Sequence, residues 1–286
     1  MKNMKKFAAL GMAAMMFASL VGCSSGSSTT QTTAADTEQT TTAGETTTGA
    51  DNAESSAAET ENSAEGGVLT MATNAEFEPW EYHEGDQIVG IDAEVAQAIA
   101  DKLGMELKIE DMAFDAVIPS IATGKADIGM AAITVNEERQ ASVDFTDTYA
   151  ESALVILVKS DTEDINSADD LQGKKVGVQL GTTGDTTATE LVGEDSMERY
   201  TSYFEAVQSL KQGKINAIVI DIAPAKVFIE QNDDIKQVGE EMSHEEYAIA
   251  VAKGNTELVE KLNQAIAELK EDGTFDAIVN KYIPAE

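Results

Sequence analysis

The chain has 286 residues, with 52 Asp and Glu against 19 Lys and Arg for a formal charge of −33, and it holds a single cysteine. Phosphate recognition needs clustered Lys and Arg, so this balance argues against nucleic acid as a partner, while a lone cysteine excludes an intrachain disulfide and a cysteine-rich metal site. The length exceeds the roughly 100 to 200 residues of a usual single domain and suggests two compact units with an extra segment.

The extra segment comes first. Lys2, Lys5 and Lys6 precede an apolar run from Phe7 to Val21, which is followed by Gly22 and Cys23. The run is shorter than the roughly 20 apolar residues of a membrane-spanning helix and meets small residues at its end, the layout of a signal peptide over residues 1–22. Leu20 to Cys23 resembles the bacterial lipobox, which implies that Cys23 is lipidated and becomes the mature N-terminus; a free thiol in a cleaved leader is the alternative. Acyl chains then hold the protein on the outer face of the cytoplasmic membrane, each buried methylene contributing about 0.8 kcal/mol. The stretch after Cys23, to residue 66, is rich in Thr, Ser, Ala and Gly and contains no Lys, Arg or aromatic residue. It cannot bury a core and is expected to be a disordered tether.

After Gly67 the pattern changes. Val68 to Thr73 reads as a buried strand, and Asp92 to Leu103 places Val95, Ala96, Ile99 and Leu103 on one helix face. Ala153 to Val158, Val176 to Leu180 and Ile215 to Ile220 are further strand candidates. Alternation of this kind predicts α/β units with largely parallel sheets. One unit occurs twice. Phe114-Asp115-Ala116-Val117 leads through Ser120 to Gly124-Lys125 and a strand at Ala126 to Ile133; Phe204-Glu205-Ala206-Val207 leads through Ser209 to Gly213-Lys214 and the strand at Ile215 to Ile220. Each reads as a helix, a glycine turn and a buried strand. Either two common patterns coincide by chance or the chain folds as two equivalent lobes. Ligands of open α/β sheets lie beyond the carboxyl ends of the strands, here Ala131 to Thr134 and Asp221, which points to a cleft between lobes.

Asn74 to Tyr82 (N-A-E-F-E-P-W-E-Y), Val89 to Asp92 (V-G-I-D), Gly124 to Asp127 (G-K-A-D), Met130 to Arg139 (M-A-A-I-T-V-N-E-E-R) and Asp144 to Thr146 (D-F-T) resemble the polar amino-acid-binding receptors of ATP-driven importers. The resemblance spans nearly all of Val68 to Glu286. It implies an α/β, type II periplasmic-binding-protein fold, with one lobe from about 67–157 and 250–286 and a second, inserted lobe from 158–249. It also implies an exported receptor that captures a free α-amino acid between the lobes and delivers it to a membrane permease of an ABC importer, as a monomer and without cofactor or metal. An enzyme on the same fold, such as a cyclohexadienyl dehydratase, and a sensor that does not transport are the alternatives. His83 and His244 are isolated and lack the spacing of metal ligands or of a nucleophile–base pair.

A zwitterion needs a cation for its carboxylate, an anion for its ammonium and a shaped space for its side chain. Arg139, by itself a candidate surface ion pair after Glu137 and Glu138, is by resemblance the carboxylate binder, a role that suits a bidentate guanidinium. Asp221, by itself a candidate helix cap, becomes the ammonium partner together with Ala132 and Thr134. Gly181, Thr182 and Thr183 follow a strand and open a helix, where free amides favour an anion. Gly177, Gly181 and Gly184 do not fit a dinucleotide fingerprint, and there is no P-loop. Phe77, Trp80 and Phe114 read as core; the resemblance sets Phe77 and Phe114 against the ligand's stem and Trp80 beside them. Asn74 and Gln179 are neutral amides at the side-chain end, which predicts a neutral polar ligand such as glutamine ahead of a basic one, with the nearby Glu76 and Glu78 as the opposing consideration.

Overall fold

The computed structural model describes residues 66–283; the expected signal peptide, Cys23 and the tether before residue 66 lie outside the described residues. Two five-stranded sheets organise the chain. In the first, Glu106–Asp111, Val68–Thr73, Ile128–Gly129, Ala250–Ala252 and Val143–Phe145 lie side by side in that order. In the second the order is Met197–Tyr200, Val176–Gln179, Ala217–Asp221, Leu154–Lys159 and Ile235–Val238. Both sheets follow one plan: the first three strands are parallel and the fourth is antiparallel to its neighbours on either side.

The sheets are therefore less parallel than the alternation of elements predicts, and the reason is connectivity. The parallel strands end at the face shared with the other sheet, so a strand on which the chain arrives from that sheet must start there and run back. Leu154–Lys159 does this in the second sheet, its first residue opposite Asp221, and Ala250–Ala252 does it in the first, opposite Gly129. Leu154–Lys159 lies wholly in the second sheet, so the boundary expected at residue 157 falls inside that strand. Its residues Leu154 to Val158 have no solvent exposure, as expected for a strand covered on both faces. Between the sheets, Ala150–Ser152 and Glu245–Tyr247 pair antiparallel as a two-stranded link along which the chain crosses and returns.

The repeated units occupy corresponding places, as helices Phe114–Ala122 and Tyr203–Lys211 ahead of the third strand of their sheets. Their strands differ from the pattern in the sequence. Only Ile128–Gly129 of the expected Ala126 to Ile133 strand joins the ladder, because the backbone turns away at Ala132, which has φ 48°. The second strand is Ala217–Asp221 and carries Asp221 to the cleft face.

Helix Ile91–Leu103 buries Ile91, Val95, Ala96 and Ile99 and stops at Gly104, whose left-handed backbone lets its N–H reach the carbonyls of Ala100 and Asp101. Gly90 precedes it at φ 121°, and a Cβ there would sit 2.3 Å from the Trp80 carbonyl oxygen. That close approach packs a small three-stranded meander, Glu76–Phe77, Glu81–Glu84 and Gln87–Val89, onto the start of the helix. No helix among the described residues is long and apolar enough to cross a membrane.

Candidate ligand-binding cleft

The carboxyl ends of the central strands converge on a narrow cavity. It is lined by Asn74, Phe77, Phe114, Ala132, Thr134, Arg139, Gln179, Thr182, Thr183 and Asp221, all expected as contacts, by Ala131, expected at the strand end beside the ligand though without a role, and by Glu81, which was not expected. Trp80 does not line it. Its ring is buried behind the cavity, edge-on to Tyr247 at 5.1 Å and to Tyr149 at 6.4 Å, where it supports the wall.

Arg139 stands in the short helix Glu137–Gln140, whose first turn is fixed by the Asn136 side chain accepting the Arg139 N–H at 2.8 Å. The side chain is buried, lies over the Phe114 ring at 5.4 Å and does not form a surface ion pair with Glu137 or Glu138. One guanidinium nitrogen donates to the Thr134 carbonyl at 2.7 Å and the other to the Gly181 carbonyl at 3.2 Å. The second bond crosses the cleft. Burial lowers the Arg139 pKa, against the pull of Glu245 and Asp221. Gly181 has φ 80°, and a Cβ there would meet that of Asp115 at 3.2 Å, so the two halves approach closely only because this residue has no side chain.

Asp221 occupies the N-cap position of helix Ile222–Gln231, yet its carboxylate makes no capping bond. It accepts instead from Ser152 Oγ at 3.2 Å and from the Tyr247 hydroxyl, both on the two-stranded link. Burial pushes its pKa up to about 7, opposed by the Tyr247 bond. Thr182 is the cap of helix Thr183–Val192: its Oγ accepts the Asp185 N–H at 3.2 Å and donates to the Gln179 carbonyl at 2.9 Å. Thr182 and Thr183 at the start of this helix line the cavity, and a helix N-terminus favours an anion.

Two carboxyls remain. Glu81 is fully buried; no N–H or hydroxyl meets its oxygens among the described residues, and the group it can bond is another carboxyl, that of Asp92. Desolvation, then the neighbouring Asp92, hold its pKa well above the usual carboxylate range. Asp92 accepts from the Ala132 N–H at 2.9 Å and from the Tyr149 hydroxyl at 2.8 Å, and burial pushes its pKa up to about 6. Glu81 pairs with Phe77 across the hairpin and so shares the face of a residue already expected in the cleft, a signal that exists only once that pairing is known. The signal for Ala131 is backbone: its carbonyl and that of Ala132 accept no hydrogen bond among the described residues, although the residues are 1% and 7% exposed.

The cleft thus brings together a guanidinium, a carboxylate, the start of a helix, backbone carbonyls and two aromatic rings. Residues 69–285 match the model of bacterial extracellular solute-binding proteins, family 3, and the chain belongs to that family. It is 34% identical over 222 residues to the arginine-binding extracellular protein ArtP of Bacillus subtilis, an alignment covering 76% of this chain and 87% of ArtP. An ancestral arginine-binding protein bound to arginine is similar in structure, with 42% identity, a TM-score of 0.72 and coverage of 75% of this chain and 97% of that one. An ancestral arginine-binding protein bound to glutamine gives 41% identity and a TM-score of 0.73, covering 76% and 98%.

Proposed function

We propose that this chain is the extracytoplasmic receptor of an ABC importer, that it closes two lobes around a free amino acid with a cationic side chain, arginine foremost, and that it hands this ligand to a membrane permease. The observation that carries the side-chain reading is Glu81, a buried carboxyl on the cavity wall that has no cation beside it among the described residues and only another carboxyl, Asp92, to bond. A buried carboxylate is costly unless paired, and a guanidinium or ammonium entering the cavity supplies the pair. The neutral amides that favour glutamine count for less, because Gln179 and Asn74 are hydrogen-bonded to each other. The arginine-binding relatives lend support, and the family's role as solute receptors sets the enzyme alternative behind.

In this reading Arg139 and the helix amides at Thr182 and Thr183 hold the α-carboxylate. Asp221, Thr134 and the Ala131 and Ala132 carbonyls hold the ammonium, and Phe77 and Phe114 flank the stem. The receptor acts as a monomer, anchored through lipidated Cys23 after removal of residues 1–22 and set off from the membrane by the tether. The two lobes, each built on one of the five-stranded sheets, turn about the two-stranded link.

Competition calorimetry with arginine, lysine, histidine, glutamine and glutamate tests the ligand class. Arginine is expected to bind at least about tenfold more tightly than glutamine, about 1.4 kcal/mol, and Glu81→Gln to erase that margin. A wild-type preference for glutamine overturns the cationic reading and leaves the receptor reading standing.

A further inference from the structure

We infer that Asp92 is a positioning residue for ligand binding: from behind the cavity it holds the Ala131–Ala132 peptide in the orientation that turns a backbone carbonyl toward the ligand's ammonium group. The inference rests on the ammonium site proposed above and adds a residue that does not touch the ligand, since Asp92 is fully buried and does not line the cavity.

Ala132 is the only residue other than glycine with a positive φ among the described residues, at 48°. An alanine is disfavoured there because its Cβ crowds the neighbouring carbonyl oxygen, so something must hold it. The Ala132 N–H donates to Asp92 Oδ2 at 2.9 Å, and the Tyr149 hydroxyl, at 2.8 Å and 2.9 Å from the two Asp92 oxygens, fixes the carboxylate that accepts it. Asp92 is itself set in place at the helix start by the approach of Gly90 to the Trp80 backbone.

The consequence lies on the other side of the peptide. Among the described residues the only cis bond is Glu78–Pro79, so the Ala131–Ala132 peptide is trans, and its N–H and C=O point in opposite directions. With the N–H committed to Asp92, the Ala131 carbonyl is sent the opposite way, and Ala131 and Ala132 both line the cavity. Their carbonyls are the unpartnered acceptors noted above, and buried carbonyls in folded proteins are nearly always paired. An ammonium brings three N–H donors to meet them. Without Asp92, Ala132 is free to relax to negative φ, and the carbonyl turns with it.

The test is a double-mutant cycle read by calorimetry with L-arginine, together with hydrogen exchange at the Ala132 amide. Asp92→Ala is expected to weaken arginine binding at least about tenfold and to speed exchange at Ala132 by a similar factor. In an Ala132→Gly background the loss shrinks to about threefold or less, because glycine adopts positive φ unaided. Asp92→Asn keeps an oxygen acceptor for the Ala132 N–H and stays within about threefold of wild type, which a role resting on charge does not allow. Arginine affinity unchanged in Asp92→Ala, or a loss equally large in the Ala132→Gly background, overturns the inference. If Asp92→Ala does not fold by circular dichroism, the Asp92→Asn pair decides, since a tenfold loss unrelieved by Ala132→Gly overturns it equally. A wild-type protein that binds no amino acid instead breaks the receptor reading, and the Ala132 exchange rate then still reports whether Asp92 holds the peptide.

Discussion

The Gln179 side-chain amide donates a hydrogen bond of 2.8 Å to the Asn74 side-chain carbonyl, although the two residues are 105 positions apart and stand at the ends of strands in different sheets. Each is fixed on its own side, Asn74 by donating to the Met112 carbonyl and Gln179 by donating to the Thr201 carbonyl, both at 2.9 Å. The bridge spans the cleft as the Arg139 bond to Gly181 does and as the Gln231 bond to Glu78 does at 3.4 Å, so the closed arrangement is held by these polar contacts as well as by whatever the ligand adds. Closure of this kind about a short link is an established transition between packed lobes.

Gln179→Ala removes the bridge and leaves Asn74 without its partner across the cleft. A neutral hydrogen bond is worth about 0.5 to 1.5 kcal/mol, so arginine affinity should fall about two- to tenfold. Small-angle scattering without ligand should show a larger radius of gyration than wild type. Superimposable profiles together with unchanged affinity would show that the bridge does not bias closure.

Arg139→Ala should cost more, because it leaves a ligand carboxylate unpaired in a desolvated site. Truncating one partner of a buried charge pair costs about 2 to 5 kcal/mol, or roughly 30-fold and upward in Kd. Arg139→Lys should recover only part of this, since an ammonium cannot reproduce the planar fork that reaches both Thr134 and Gly181. Calorimetry giving full affinity for either variant removes Arg139 from the site.

The parts of the site that rest on strand ends and helix starts could be read in the chain, because short apolar runs followed by Gly, Thr or Asp mark those junctions. Asp221 and Thr182 lie at such junctions, and so do Asn74 and Gln179, whereas the ligand roles of Arg139 and Asp221 came from the resemblance. Trp80 could not be placed, since a buried aromatic next to proline reads the same whether it faces ligand or packs on Tyr149 and Tyr247. Glu81 was missed because one Glu among many says nothing until its hairpin partner is known. The shortened strand after Asp127 was missed because the turn at Ala132 is imposed by Asp92, 40 positions away, and no local propensity marks it. The antiparallel crossing strands likewise follow from the path between lobes rather than from composition.

Cys23→Ser should release the receptor from the membrane while leaving the arginine affinity of the released protein unchanged, because the tether separates anchor from cleft. Fractionation into membrane pellet and supernatant measures the first and calorimetry the second. A variant that stays in the pellet at the wild-type level removes the anchor from Cys23.

The cleft carboxyls predict a pH dependence of binding whose sign can be worked out. Asp92 and Asp221 hold their protons to about pH 6 and about pH 7, and Glu81 is displaced in the same direction, whereas unfolded carboxyls ionise near pH 4. Between those limits the folded, ligand-free protein binds more protons than the unfolded chain, so the stability these groups contribute falls as pH rises. A cationic ligand reverses the preference, because its ammonium favours the Asp221 carboxylate and its side chain favours that of Glu81. Arginine affinity should therefore rise from pH 5 to pH 8, by about tenfold or more, with protons released on binding. Exposed carboxylates act the other way on total stability, as at Asp272, where the bonds from Thr274 and Lys102 hold the pKa near 2. They are the same with and without ligand, so the rise in Tm on adding saturating arginine isolates the cleft. That rise should grow across the range, the binding enthalpy should vary with the ionisation enthalpy of the buffer, and Glu81→Gln should lower the number of protons released. A Tm increment flat from pH 5 to pH 8, with a buffer-independent enthalpy, rules out carboxyls that ionise to meet the ligand.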